Sequence, residues 1–321
     1  MDTTDTETYL LLVLADSNLP TGSFVASSGM ESYFKHGFDA HTLSGSGGSK
    51  QSKQDAAVLA FVRDSLASYA RTALPFVADA HGVITRLAES ATASGLANTM
   101  PTEPIPSCSA SASSPDCDPL ERTLADLAAA DALCEAVTLN HVARRASRAQ
   151  GVALLTLYAK GLAPPVDAST EANINDALLA RALDQYKLLV RREDVPGHLP
   201  VCWGALTAAL GLPLARAVHL HLFLHVRGLL SAAVRLNVVG PYAAQRLLLH
   251  AVRPIVETEV ERWMERVRME SKGGEDASVV QTCACDSVAA DALEDGPLNT
   301  WPLGEILAAR HDLQHSRIFN S

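Results

Sequence analysis

The feature that most constrains this chain is the spacing of its apolar residues, which recur every three or four positions over most of the sequence. In one long stretch, Leu120, Leu124, Leu127, Cys134 and Val137 follow these steps, and such spacing places side chains on one face of an α-helix. Aromatic residues make up only 5% of the chain, which favours helices over strands. We find no run of alternating strands. The sequence therefore predicts an all-α fold, a single bundle-like domain of about ten helices over residues 1–321.

Glycine and proline mark where these helices should end. Gly161 and then Pro164 should end the segment that begins near Leu120, because glycine closes helices and proline cannot continue them. Gly211 caps another helix, and Pro213 opens the next one. Pro254 should kink or break the helix that follows residue 241, since it has no backbone N–H to donate.

Four polar segments interrupt the helical pattern. They are rich in Gly, Ser and Pro, and segments of low hydrophobicity cannot offset the entropy lost on ordering. No stretch between them holds a complete core of its own, so we expect flexible insertions in one domain rather than linkers between domains. The four segments are residues 40–54, 92–118, 164–173 and 271–286.

The charge balance restricts the classes of partner. The chain carries 26 Lys and Arg against 36 Asp and Glu, a net charge of −10, which makes it a poor candidate for binding nucleic acid or anionic lipid through its overall field. The stretch "HVARRASR" with Arg144, Arg145 and Arg148 is a local basic patch. We interpret it as a solvated helix face, with a binding patch as the open alternative.

Composition also indicates a cellular compartment. The short apolar run "YLLLVLA" follows Asp2, Asp5 and Glu7 and lacks the basic region of a secretory signal. The most apolar helix, "LARAVHLHLFLHVRGLLSAAVRL", contains several Arg and His residues, so we predict a buried helix rather than a membrane span. Six Cys in a chain of this length do not form a disulfide framework. We expect a cytoplasmic protein with no membrane partner.

Candidate chemical sites are few. His221 and His225 are four residues apart and share a helix face, whereas His219 is turned away from His221 by about 200°. A metal site would need all three with a carboxylate, so a helical metal-dependent hydrolase remains only the alternative function. The pair Cys283 and Cys285 in "CAC" and the pair Cys108 and Cys117 lie in predicted insertions without a matching second pair. We therefore expect no catalytic residues, no metal site and no cofactor.

The segment "LADSNLPTGSFVASSGMESYF" stands out between two apolar runs. It follows a predicted short helix, and "DSNLPTG" should turn the chain. Ser28 stands three residues before Glu31, a spacing that predicts a capping box at the start of the next helix. This accounts for two residues but not for the whole loop.

Three segments together resemble the UreF family of urease accessory proteins. The loop just described is similar to the family's N-terminal Leu-Pro-x-Gly-x-Phe motif, the stretch beginning "CWGALTAALGLPLARAVHLHLFLH" is similar to its central helices, and "HDLQHSRIFNS" is similar to its C-terminal Arg-hydrophobic-Phe ending. The insertions lengthen the chain beyond the compact bacterial pattern, which suggests a eukaryotic, fungal version.

The resemblance implies a non-enzymatic scaffold. Members of the family are all-α dimers that bind a UreD/UreH-type accessory protein and recruit the UreG-type GTPase, so that nickel reaches apo-urease. The resemblance implies these partners here, with a homodimer in the complex. We expect the loop and the tail to form the partner surface, with Tyr33 and Arg317 on one face. Its expected residues are Pro20, Gly22, Phe24, Gly29, Glu31, Tyr33, Arg317 and Phe319; for Phe24 and Phe319, burial in the core is the open alternative.

Overall fold

The computed structural model of the chain describes residues 3–39, 50–97, 118–164, 171–273 and 296–320. Across these ranges the regular elements are all helical, which confirms the predicted all-α class. The α-helices are α1 (Thr3–Leu14), α2 (Met30–Lys35), α3 (Lys50–Ala97), α4 (Pro119–Val137), α5 (His141–Leu157), α6 (Glu171–Arg191), α7 (Leu199–Ala209), α8 (Leu214–Arg235), α9 (Pro241–Arg246), α10 (Arg253–Gly273) and α11 (Pro302–Ala309).

The long helix α3 is the axis around which the others pack. Its 48 residues contact α4, α7, α8 and α10. Pro75 lies inside it, so one hydrogen bond of the helix is missing there, and packing on several sides offsets that loss. Its buried face is an apolar stripe with helical spacing, formed by Val58, Phe61, Val62, Leu66, Leu74, Val77 and Ile84.

Helix α7 crosses α3 at close range because of a glycine. A Cβ atom at Gly204 would lie 2.3 Å from the carbonyl oxygen of Val77, a distance that no side chain can occupy. Nine of the eleven residues of α7 are buried. Trp203 fixes the next helix as well, since its indole N–H donates to the carbonyl oxygen of Ala217 at 3.0 Å.

Helix α8 is the apolar helix that the sequence predicts to be buried. By length and composition it is the one described helix that qualifies to cross a membrane, and 56% of its apolar window is buried within the protein. It packs against α3, α7 and α10, as a core helix does. Arg216 and Arg227 lie along it, and both bind the N-terminal segment: Arg216 pairs with Glu7 at 2.9 Å, and Arg227 donates to the carbonyl oxygen of Ala15.

Two predicted boundaries need correction. The segment from Leu120 to Gly161 is two helices. The side chain of Asn140 accepts hydrogen bonds from the amides of Val142 and Ala143, and so caps the start of a new helix, α5. Pro254 does not break its helix; the six residues before α10 are π-helical instead, a wider turn that accommodates the missing N–H of proline. At the C-terminal end, the 3₁₀ turn Arg310–Leu313 follows α11 and leads into the tail.

The predicted insertions are shorter than expected where the structure describes them. Residues 50–54 begin α3, residues 92–97 complete it, residues 171–173 begin α6, and residues 271–273 end α10. Residue 118 is the cap of α4, since its carboxylate accepts from the amide of Leu120. Apart from Pro164, the remaining parts of these segments, with all four cysteines of the two candidate pairs, lie outside the described residues.

Candidate functional site

The structure brings the N-terminal loop and the C-terminal tail together. We call residues 15–29, helix α2 and residues 310–320 the terminal site. The loop is fixed at its start by Arg227, which binds the carbonyl oxygens of Ala15 and Asp16. Asp16 then accepts from the amide of Asn18 at 2.9 Å and turns the chain.

Two glycines shape the loop differently. Gly22 has φ +70° and open space around it, whereas Gly29 has φ +85° and lies against α11, where an added Cβ would meet the backbone nitrogen of Ala308 at 3.2 Å. A positive φ favours glycine at both positions, and Gly29 also permits close approach of the loop to α11. Ser28 adopts φ +50° although it is not a glycine, so the turn into α2 is strained.

Glu31 holds the tail rather than capping α2, so the predicted capping box is wrong. Gly29 is the N-cap of α2, without a side-chain bond. The carboxylate of Glu31 is fully buried and accepts from the amides of Ile318 at 2.8 Å and Phe319 at 3.4 Å. Lys35 lies 2.9 Å from the same carboxylate. Glu31 is therefore occupied within the chain and does not offer its charge to a partner.

Phe319 is a core residue, in line with the alternative that the sequence left open. Its side chain is 2% exposed, and the guanidinium of Arg235 lies 4.5 Å from the centre of its ring. Its carbonyl oxygen lies 3.1 Å from Nε2 of the buried His311, so that nitrogen must carry the proton. The amide of Asn320 donates to the carbonyl oxygen of Val25 at 2.9 Å, which joins the tail to the loop.

Arg317 lies at the surface and forms an ion pair within the tail. Its guanidinium donates to Asp312 at 2.7 Å. Asp312 also accepts two hydrogen bonds from Arg145, at 3.1 and 3.0 Å, and lies 3.2 Å from His141. The hydrogen bonds of Arg145 are the main reason that the pKa of Asp312 is well below its usual value. Arg145, which belongs to the basic patch on α5, thus holds the tail in place.

Apolar side chains cover the outside of this framework. Phe24 is 59% exposed, Ile318 is 61% exposed and Leu313 is 76% exposed. Phe24 precedes Val25, which is bonded to the tail, and Ile318 precedes the buried Phe319. Pro20 is exposed on the same loop. The exposed anchors of the terminal site are therefore residues 24, 313 and 318.

Tyr33 is not an exposed anchor. Its side chain is 6% exposed, and its ring contacts those of Phe34, Phe38 and Phe61. The expectation that Tyr33 and Arg317 share one surface is wrong for the side chain of Tyr33. Two further residues hold the site, His311 and Asp312. The sequence carries no signal for them beyond their place in the tail motif.

Beneath the loop lies a cavity of about 320 Å³, and two histidines of α8, His221 and His225, are in its wall. His221 lies 2.8 Å from the hydroxyl of Tyr69, and His225 lies 3.1 Å from that of Ser65. Burial lowers the pKa of His221 to about 3 and that of His225 to about 4. Both imidazoles are therefore neutral at pH 7.

The three histidines do not form one set. His219 is exposed on another face of α8, as the helical spacing predicts, so the arrangement gives no support to a hydrolase. Among the described residues, no group of three or more His, Cys, Asp or Glu is placed to hold a metal ion. The two histidines of the cavity wall have structural roles: each forms a hydrogen bond, and both rings stack with Tyr69, at 5.3 and 4.0 Å.

Comparison with known proteins gives the family. A sequence profile of the UreF family matches residues 52–252. The chain is 42% identical to urease accessory protein 6 of Cryptococcus neoformans var. grubii over 98% of its length and 97% of the relative. It is 27% identical to an uncharacterized UreF-like urease accessory protein of Schizosaccharomyces pombe over the full length of both. It is 30% identical to urease accessory protein F of Arabidopsis thaliana, over 42% of this chain and 50% of the relative.

The first two relatives are fungal, and the similarity to both extends over nearly the whole of each chain. This confirms the resemblance stated from the loop, the central helices and the tail. The chain therefore belongs to the UreF family of urease accessory proteins.

Proposed function

We propose that this protein is a non-catalytic scaffold in urease maturation. It binds a UreD/UreH-type accessory protein, and the complex recruits a UreG-type GTPase for nickel insertion into apo-urease. Membership of the UreF family supports the link to urease, since relatives over the whole chain carry the name urease accessory protein. In this proposal the protein acts in the cytoplasm, as a homodimer within the complex.

The observation that carries the proposal is a set of exposed apolar side chains on a rigid framework. Phe24, Leu313 and Ile318 are all more than half exposed, and aromatic and large apolar residues are common at the centres of protein interfaces. The backbone beside them is held by buried groups, above all the carboxylate of Glu31. Because the loop and tail are already ordered, binding of a partner costs little conformational entropy in these two segments.

Charge around these anchors favours a partner with exposed carboxylates. Arg145 is 51% exposed and Arg317 is 43% exposed, and both are oriented by Asp312. A guanidinium presents five donors in a fixed fork, so each retains donors for a partner. On a chain with net charge −10, this local basic patch steers an acidic surface towards the terminal site.

Co-purification tests this proposal directly. We expect the unaltered protein to pull down the UreD-type protein and, through it, the GTPase. Phe24→Ala combined with Ile318→Ala should reduce capture at least tenfold, since interface anchors commonly contribute about 2 kcal/mol or more. Tyr242→Ala is the matched control, because Tyr242 is 90% exposed and lies outside the terminal site. Equal capture by the double variant and the control would refute this assignment of the surface.

Urease activity in the host tests the wider role. Deletion should abolish urease activity, and the double variant should restore it less well than Tyr242→Ala does. Full restoration by the double variant at low expression would contradict the proposed surface. Normal urease activity in the deletion strain would contradict the role in maturation itself.

A further inference from the structure

A second surface feature is a pocket with aromatic walls on the other side of α2. We call it the aromatic pocket; it has a volume of about 260 Å³. Its walls come from three parts of the chain: α2 with the residues that follow it, one face of α3, and the start of α11 with its N-cap residue. The lining residues are Tyr33, Phe38, Ala60, Phe61, Asp64, Trp301 and Leu303.

Four rings in this pocket contact one another. Phe61 forms the base: it is 1% exposed, with its ring centre 5.1 Å from that of Tyr33 and 5.0 Å from that of Trp301. The ring of Phe38 lies nearly parallel to that of Tyr33, at 6.4 Å and 20°. The rings are thus held in place by mutual packing. Phe38 and Trp301 are only partly buried, so these two rings offer accessible aromatic surface to a cation.

One acidic side chain joins these rings. Asp64 follows Phe61 by three residues, so both lie on the same face of α3. Within the described part of the chain, its carboxylate forms no hydrogen bond and no ion pair. Burial raises the pKa of Asp64, and the neighbouring Arg63 opposes that change. The side chain of Asp64 is exposed, so its carboxylate is accessible to a cation that enters the pocket, and the opposite charges attract.

We propose that the aromatic pocket binds the side-chain cation of a Lys or Arg residue presented by a protein partner. The rings supply cation–π attraction, and Asp64 supplies the opposite charge. An uncharged apolar side chain would fill the same volume but would leave the carboxylate unpaired. The chain carries ten more acidic than basic groups, which favours basic segments as partners on this side.

The position of the pocket favours a protein over a free small cation. Tyr33 lies on α2, and the same helix holds the tail of the terminal site through Glu31 and Lys35. A protein bound to the terminal site can therefore extend a side chain around α2. In this respect the inference rests on the proposed function, but the pocket itself can be tested without any urease protein.

The test is a titration of the full-length protein labelled with 5-fluorotryptophan. The chain has three Trp residues, and Trp301→Phe identifies the ¹⁹F signal of the pocket. The probes are the peptides acetyl-Gly-Lys-Gly-amide and acetyl-Gly-Arg-Gly-amide, with acetyl-Gly-norleucine-Gly-amide as the uncharged isostere. We expect a saturable shift of the Trp301 signal with the charged peptides, with Kd on the order of millimolar, and binding of the norleucine peptide at least tenfold weaker.

Asp64→Asn should weaken binding of the charged peptides about tenfold or more. Asp126→Asn is the matched control, since it removes one exposed carboxylate on α4, outside the pocket. Similar shifts with the norleucine peptide, or equal binding by Asp64→Asn and Asp126→Asn, would overturn the proposal. So would the lack of any shift. Tighter binding of tetramethylammonium than of either peptide would assign the pocket to a small cation and overturn the claim of a side chain.

The two proposals can fail separately. Loss of the ¹⁹F response with normal co-purification would reject only the aromatic pocket. A normal ¹⁹F response with no capture of the UreD-type protein would reject the proposed function and leave the cation pocket in place.

Discussion

Phe319 provides a direct test of how the tail is held. The change is Phe319→Ala, and its neighbour Ile318→Ala is the matched control. The two residues are adjacent in the tail, both amides bind Glu31, and yet one side chain is 2% exposed and the other 61% exposed. If the tail is part of the core, the first change should destabilise the protein and the second should not.

The expected magnitude follows from burial. Removing a fully buried phenylalanine ring commonly costs about 3–5 kcal/mol, and the contact with the guanidinium of Arg235 at 4.5 Å adds about 0.5–1 kcal/mol. The loss has an upper limit, however, because a weakened tail can detach while the helical body stays folded. We therefore expect Phe319→Ala to lower the free energy of unfolding by about 2–3 kcal/mol, and Ile318→Ala by less than about 0.5 kcal/mol.

The measurement is urea unfolding followed by circular dichroism, with both variants and the unaltered protein at one concentration. The midpoint should fall clearly for Phe319→Ala with little change in slope, since the exposed surface on unfolding is nearly the same. Hydrogen exchange at the amide of Asn320, which bonds to Val25, should become faster in that variant. Equal midpoints for Phe319→Ala and Ile318→Ala would refute the conclusion that the tail is core packing.

Three further predictions concern the loop, the buried carboxylate and the histidines. Gly29→Ala should lower the free energy of unfolding by about 2 kcal/mol or more, because a left-handed backbone and a contact of 3.2 Å act together. Gly22→Ala, with open space around it, should lower it by only about 1 kcal/mol. A lower urea midpoint for Gly22→Ala than for Gly29→Ala would contradict this order. Glu31→Gln should leave the helical content unchanged but accelerate hydrogen exchange at the amides of Ile318 and Phe319 at least tenfold, since hydrogen bonds to a charged acceptor contribute about 1.5–3 kcal/mol. Unchanged hydrogen exchange would contradict the role of Glu31 in holding the tail. The folded-state pKa values of His221 and His225, about 3 and 4, lie below the reference value of 6.5. The free energy of unfolding should therefore be full above about pH 6.5 and fall as the pH drops towards 4, because only the unfolded chain binds those protons there. A melting temperature that rises as the pH is lowered from 6.5 to 4 would contradict the burial of both imidazoles.

Local patterns predicted the helices well, and the reason is physical. Spacing of three or four residues determines which face of a helix is apolar, and that information is contained within each helix. For this reason the sequence alone predicts that α8 is a core helix. Helical geometry likewise predicts that His219 lies on a different face of α8 from His221 and His225. The break at Asn140 was missed because apolar spacing continues across it.

Residues of the terminal site could not be placed in the same way. Ser28 and Glu31 have the spacing of a capping box, but Glu31 binds amides 287 and 288 residues away, and no local pattern contains that partner. Phe24 and Phe319 occur in two equally suggestive motifs, yet the first is exposed and the second is buried. Which phenylalanine is an anchor depends on the packing of the loop against the tail, and the sequence does not specify that packing.

The long separation between loop and tail has a consequence for recognition. Phe24 and Ile318 belong to a loop and a tail that are joined by the bond from Asn320 to Val25. Glu31 and Arg145 hold the tail there, and Arg145 lies on α5, which packs against α7 and α11. Contacts between residues so far apart in sequence form only when the intervening body is folded, since their closure entropy must be offset by the rest of the core. A partner that binds across both segments therefore distinguishes the folded protein from a partly folded chain. On the proposed function, this makes docking of the UreD-type protein dependent on a complete helical body, so variants that loosen α5 should lose the partner before they lose their helical content.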